Sequence, residues 1–221
     1  MPRNDDLLET FIGSLKYASS SISALLIGGI VFFLAMFLVG LPFFLGYITK
    51  CMREAIDGNG VLPEWGDIAG MLRDGVRMLV VFMAYALAYL VIVSLTTIPL
   101  FVFQKLGMPY MAFLSTIALL LTMAVVAGAF SIIFFASWVL YATSGSVSAA
   151  LSPQKIRRLI SLNPAGYLTA LLASLAIMAA ASASALLVIV IPWVAFTAST
   201  AISFIYSKYY QSAMKMAGGV A

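Results

Sequence analysis

The chain contains no histidine and a single cysteine, and only 9% of its residues are charged. Without histidine it lacks the commonest general base, proton shuttle and metal ligand. The lone Cys51 rules out an intramolecular disulfide and any cysteine-based metal site. Lying between Lys50 and Arg53 at the edge of an apolar run, Cys51 reads as an inert packed thiol, with lipidation as the alternative. The scarcity of charge excludes a soluble fold, in which about a quarter of the residues are charged. What fills the space is apolar: hydrophobic residues make up 63% of the chain and its mean hydropathy is +1.09.

The 12 basic and 8 acidic residues are gathered in short clusters, leaving residues 17–49, 78–104, 106–154 and 159–207 free of formal charge. Because a charge at the bilayer centre costs about 2.5–3.5 kcal/mol on insertion scales, such tracts read as membrane-embedded. Each exceeds the roughly 20 residues that an upright helix needs to cross, and the longer ones must fold back. The expected class is an all-α integral membrane protein, a single transmembrane helical domain over residues 1–221. The N-terminal segment, with Arg3, Asp5, Asp6 and Glu9, lacks the pattern of a signal peptide, so the first helix is expected to be retained.

Amphipathic segments near 5–17, 67–77 and 153–163 precede apolar runs and are expected to lie as interfacial helices in the headgroup region, the alternative being that they are the ends of the spanning helices. The first sets Leu7, Leu8, Phe11, Ile12 and Leu15 on one face; the second sets Ile68, Met71, Leu72 and Val76 against Arg73, Asp74 and Arg77; the third opens with Ser152 as N-cap and Pro153 in the first turn. Each following run holds an aliphatic residue and proline: Leu41-Pro42, Ile98-Pro99 and Ile191-Pro192. The pattern hints at a repeated unit of interfacial helix, span, proline corner and return span, giving about six transmembrane helices as three hairpins, the first two helices short. The first turn is placed near 37–41, a corner at Phe101–Pro109, and one long helix over Met111–Thr143 with Gly128 as a plausible bend. Tyr47, Tyr141 and Tyr206 are expected at the membrane boundary. With three hairpins, both termini, the 50–77 loop and the 155–158 cluster share one face, which the positive-inside tendency makes cytoplasmic, and Lys105 alone of the basic residues lies opposite. A single tilted crossing over 20–55 is the fallback.

No ionisable residue lies deep in the later spans, which argues against a proton relay, a buried carboxylate metal centre or an acid–base pair. A serine or thiol nucleophile has no histidine partner. No cofactor, metal or nucleic-acid partner is expected, since the basic residues flank apolar segments and form no continuous patch. The hydroxyls of Ser94, Thr96, Thr97, Ser115, Thr116, Thr122, Ser131, Ser137, Thr197, Ser199, Thr200 and Ser203 offer either a polar path or bonds back to their own helices. Smooth Ala/Ser surface over 179–185 permits close helix packing within the chain or in a dimer.

The most distinctive local pattern is Gly46-Tyr47, then Arg53, Gly58-Asn59-Gly60, Leu62-Pro63-Glu64-Trp65, Asp67, Asp74 and Gly75. The glycines end a helix and make a turn, Pro63 stiffens the re-entry, Trp65 anchors at the headgroups and Asp67 caps the next helix, while Glu64, Asp67 and Asp74 are expected to be solvated or paired with Arg53, Arg73 and Arg77, Asp74 and Arg77 being an i,i+3 pair. Here the chain resembles a family of polytopic membrane proteins of archaea and bacteria known as domain of unknown function 4013. That family's pattern looks like GY, a basic residue, LPEW, then D and G, matched here by Gly46, Tyr47, Arg53, Leu62, Pro63, Glu64, Trp65, Asp74 and Gly75. The chain departs from it after LPEW, where an aromatic–acidic pair is replaced by Gly66-Asp67. The resemblance covers residues 20–80 well and implies a six-helix protein of a prokaryotic cell membrane, with no activity to lend. The expected function is a non-catalytic scaffold or accessory subunit of a membrane assembly, partnered by membrane lipids and by a second copy or another membrane protein. The alternatives are a transporter or channel for a small neutral solute or cation, and a lipid-modifying enzyme using Glu64, Asp67 or Asp74.

Overall fold

Helices account for every regular element in the residues that the computed structural model describes, 4–183 and 190–218, with side chains from Glu9 onward. In chain order they are α1 (Asn4–Ala18), α2 (Ile22–Met36), α3 (Leu41–Ile56), α4 (Ile68–Lys105), α5 (Pro109–Ser144), α6 (Val147–Ala150), α7 (Pro153–Leu162), α8 (Pro164–Ala183) and α9 (Ile191–Gly218). The apolar face expected from Leu7 and Leu8, and the end of the Ala/Ser run at Ser184 and Ala185, lie outside the described side chains. Two compact units form: residues 1–79 with 136–221, and residues 80–135.

In the first unit, α1 and α2 meet at a bend of 82°, where Ser21 caps α2 by accepting from the Ala24 N–H at 3.3 Å. Helices α2 and α3 then form an antiparallel hairpin with its turn over residues 37–40, held by Gly40 N–H donating to Leu34 O at 3.1 Å and by the edge-on rings of Phe32 and Phe44. The turn lies where the sequence places it. It costs strain, because Leu38 sits at φ 67°, a left-handed conformation that costs an L-residue roughly 1–2 kcal/mol. Pro42 starts α3 in the first turn, where a missing N–H is harmless.

The centre of this unit is α9, with Phe196, Ala201, Ile205, Tyr206 and Tyr209 buried. Around it, Phe204 stacks on Tyr17 of α1, the Phe196 and Trp193 rings lie where Cβ atoms at Gly28 and Gly29 of α2 would be, Gln211 donates to the Ala55 and Ile56 carbonyls ending α3, and Tyr167 of α8 packs on Tyr206 and Tyr209. Lipid is as apolar as a leucine side chain, so close packing of small residues and hydrogen bonds, not hydrophobic burial alone, holds helices together in a bilayer. Alanines and serines on α9 meet that requirement.

In the second unit, residues of α4 and α5 meet through an antiparallel ladder of ring edges: Phe82 on Phe134, Tyr85 on Phe130 and Phe134, and Tyr89 on Phe130, at 6.0–6.2 Å. Such edge-to-face pairs add about 0.5–1.5 kcal/mol each beyond burial. The corner between these helices shrinks to Leu106–Met108, closed by Gly107 at φ 68° and by Met108 N–H donating to Phe103 O.

Several expectations are corrected. Residues 67–77 are not a separate helix: Ile68 begins a continuous α4 that runs to Lys105, so the second amphipathic segment is the end of a longer helix. Pro99 is no corner but lies inside α4, which breaks the repeat at its middle unit. Helix α5 continues through Gly128. Tyr47, Tyr141 and Tyr206 are all fully buried against the chain itself. Among the described residues three helices, α4, α5 and α8, are long and apolar enough to cross a membrane, or four spans if residues 9–18 and α2, the bent pair, count as one; the membrane class is seen in this, the arrangement as six helices in three hairpins is not. The chain is thus an all-helical protein whose long apolar helices suit an integral membrane protein.

Candidate functional site

The residues of the GY…LPEW…DG pattern converge on one junction in the first unit, where α3, the 57–67 loop and the start of α4 meet. Two glycines set the distance. A Cβ at Gly46 would collide with the Met71 carbonyl, and one at Gly75 with the Pro42 carbonyl. Each helix therefore lets the other's backbone into contact, a use of glycine that depends on size and not on dihedral freedom. The loop leaves α3 through Gly58, at φ 98°, with Asn59 N–H donating to Glu54 O, and enters α4 with Asp67 Oδ1 accepting from the Gly70 N–H at 2.9 Å. That is the turn and cap expected of these residues.

Between those ends the loop is pinned residue by residue. Leu62 is buried and its N–H donates to Ser20 Oγ at 2.9 Å. Tyr47, fully buried, donates its hydroxyl to the Pro63 carbonyl at 2.8 Å, while its ring lies flat on Trp65, centroids 3.9 Å apart and planes within 8°. Trp65 donates its indole N–H to Ala24 O at 3.3 Å, tying the loop to the base of α2. Trp65 is thus a half-buried packing residue. Lys50 donates to the Glu64 carbonyl at 2.9 Å and lies 3.9 Å from Glu54; the Glu64 carboxylate is exposed.

Arg53 joins a third helix. Its NH1 pairs with Asp74 Oδ2 at 3.0 Å, its Nε donates to Ala142 O at 3.0 Å in the last turn of α5, and Tyr141 donates to Asp74 Oδ1 at 3.3 Å. A helix C-terminus presents unsatisfied carbonyls and partial negative charge, so a guanidinium there both donates and complements. Of the three arginines offered by the sequence as partners for the loop acids, Arg53 is the one that pairs with Asp74. One helix turn away, Trp138 donates to Thr49 Oγ1 at 2.9 Å, and Thr49 donates in turn to Leu45 O. The sequence reading missed Trp138, Thr49 and Ser20; aromatic residues near a span's end were the available signal, read there as boundary anchors. Cys51 is buried with no exposure, beneath Tyr17, whose hydroxyl donates to the Cys51 carbonyl; that is the packed thiol expected.

A family described as "Protein of unknown function (DUF4013)" matches residues 29–191, a span that contains every residue of the GY…LPEW…DG pattern. The chain belongs to this family. No curated protein and no solved structure matches it. The family thus brings no reaction, and the junction's chemistry stands on its geometry: the Asp74 carboxylate is held by a guanidinium and a phenol, Asp67 is spent on a cap, and among the described residues no group of three acidic, cysteine or histidine side chains is placed to hold a metal.

Eight of the hydroxyls offered by the sequence as a polar path bond back to their own helices, Thr96 to Val93 O, Thr97 to Ser94 O, Thr116 to Ala112 O, Ser131 to Ala127 O, Thr197 to Trp193 O, Ser199 to Ala195 O, Thr200 to Thr197 O and Ser203 to Thr200 O, all at 2.7–3.0 Å. An apolar cavity of about 330 Å³ lies among α1, α8 and α9, lined by Phe11, Leu15, Ile177, Trp193 and Thr197 among others. With the Thr197 hydroxyl turned to its own helix, no set of polar groups converges there.

Proposed function

We propose that the protein is a non-catalytic membrane scaffold or accessory subunit of a membrane assembly. The observation that carries this reading is the pairing of a fully committed junction with largely uncovered spans. At the junction every motif side chain with a polar group, apart from Glu64, is engaged by the chain itself, which leaves little with which to bind or convert a substrate. The most apolar windows of α4 and α5, by contrast, are only 11% and 0% buried, so these helices offer wide faces to lipid or to helices of another chain. In this reading the chain is one membrane domain. The α2–α3 hairpin is a short first hairpin, α4–α5 and α8–α9 are the full ones, α1 and α7 lie at the interface, and the termini and charged loops face the cytoplasm of a prokaryotic cell.

Purification in mild detergent, with mass measured by native mass spectrometry, tests it. The expected result is a complex larger than one chain, either a homo-oligomer or a complex with a stoichiometric membrane subunit. A strict monomer, together with solute flux in liposomes above that of empty vesicles, would replace this reading with the transporter.

A further inference from the structure

We infer that α7 is a membrane-surface helix that binds the phosphates of anionic phospholipids through Lys155, Arg157 and Arg158. The inference rests on membrane embedding and not on the scaffold role. Helix α5 ends at Ser144 and α8 begins at Pro164, and both are long and apolar enough to span, so the segment joining them lies at a membrane face. Within that segment α7 turns Ile156 and Leu159 into the protein, where both are buried. Its backbone is held as well: Tyr209 of α9 donates to the Leu159 carbonyl at 2.7 Å, and Asn163, just past the helix, donates to Ser212 Oγ at 3.2 Å while accepting from the Gly166 N–H at 2.9 Å. The apolar face of α7 is therefore used up on its own protein and does not dip into the acyl region, as a free amphipathic helix would.

What α7 shows outward is charge of one sign. Lys155, Arg157 and Arg158 are exposed, α7 contains no acidic residue, and among the described residues none of the three makes an ion pair. The imbalance reaches well beyond the helix. Asp74 is the last acidic residue in the sequence, so nothing from Gly75 to Ala221 neutralises these cations or the exposed Lys208 and Lys215 of the neighbouring α9. The basic residues of α3, in contrast, are already occupied: Arg53 with Asp74 and Lys50 with Glu54. A rigidly held, uncompensated cationic face at a membrane surface fits the anionic headgroup layer by charge, and the attraction falls off within a Debye length.

The test uses the full chain in detergent, titrated with phosphatidylglycerol or phosphatidylcholine and read by native mass spectrometry. Phosphatidylglycerol is expected to be retained preferentially, with the preference collapsing at high salt. The variant carrying Lys155→Gln, Arg157→Gln and Arg158→Gln is expected to lose on the order of a hundredfold in that preference, and Arg157→Gln alone about fivefold; Lys105→Gln is expected to behave as wild type. Because the three side chains are exposed, circular dichroism of the triple variant is expected to match the parent, and the single variant carries the test if it does not. Equal retention of both lipids, an unchanged preference in the variants, or displacement by millimolar inorganic phosphate would overturn the inference, the last by showing a small-anion site. A monomeric protein with this lipid preference would sink the scaffold reading and leave this one standing.

Discussion

Gly75→Ala and Gly128→Ala make the same chemical change in two helix interiors, and the structure assigns them opposite signs. At Gly128 an added methyl meets nothing within 4 Å, so only helix propensity acts, a gain of up to about 1 kcal/mol. At Gly75 the same gain is opposed by collision with the Pro42 carbonyl, and behind it stands the Gly46 amide nitrogen at 3.0 Å. Both obstacles are backbone, so no side-chain rotation relieves the overlap and α3 and α4 must separate. Overpacking typically costs about 1–3 kcal/mol, and a rigid backbone obstacle belongs at the upper end; the net for Gly75→Ala is a loss of roughly 2 kcal/mol. For a chain of this size, about 2–4 °C accompanies each kcal/mol. Intrinsic tryptophan fluorescence during heating in detergent reports the junction directly, because Trp65 and Trp138 lie in it. The Gly75 variant is expected to melt about 4–8 °C below the parent and the Gly128 variant up to a few degrees above. If both variants move the same way, the close-crossing argument is wrong.

The other predictions are briefer. Tyr47→Phe keeps the Trp65 stack but leaves the buried Pro63 carbonyl without its donor, so a loss of about 1–3 kcal/mol in thermal or denaturant melts is expected; no change would mean that water replaces the phenol. Arg53→Met and Asp74→Asn, alone and combined, are expected to show a coupling of about 1 kcal/mol, kept modest by the 39% exposure of the Arg53 side chain; additive effects would remove the ion pair from the account. Leu38→Gly relieves the φ of 67° at a position that is 74% exposed and is expected to stabilise the α2–α3 hairpin by up to about 1 kcal/mol; destabilisation would show that the leucine side chain contributes more than its backbone strain. Cys51, the chain's single thiol, is expected to resist maleimide until the protein unfolds, and rapid labelling of the native protein would contradict its burial.

The long uncharged tracts made most helices legible, because a bilayer tolerates neither charge nor unpaired backbone. The uncharged tracts 78–104 and 159–207 hold most of α4 and all of α8, the long helix expected at 111–143 appears as α5, and the first turn falls at 37–40, within the 37–41 placed from sequence. Pro99 misled because a proline within a long apolar helix looks from sequence like one at a corner; only the neighbours that hold the helix distinguish them. The tyrosines were legible only in part. Tyr47 lies just before Lys50, near the end of an uncharged tract, but its hydroxyl and that of Tyr141 are met by Pro63 and Asp74, partners 16 and 67 residues away that no local pattern reveals. The same holds for the site. The motif residues were legible as a set, and Asp67 even in its role, whereas the Arg53–Asp74–Ala142 contact joins segments whose pairing depends on the fold.

Within the first unit, the central helix α9 is synthesised after every helix that it holds. Neighbours in α1, α2 and α3 leave the ribosome long before the residues of α9 that they close upon, so the early helices must wait in the insertion machinery or in lipid with their packing faces unmatched. A chain cut short between α8 and Ile191 would carry these helices without the one on which they close, and is expected not to assemble the first unit.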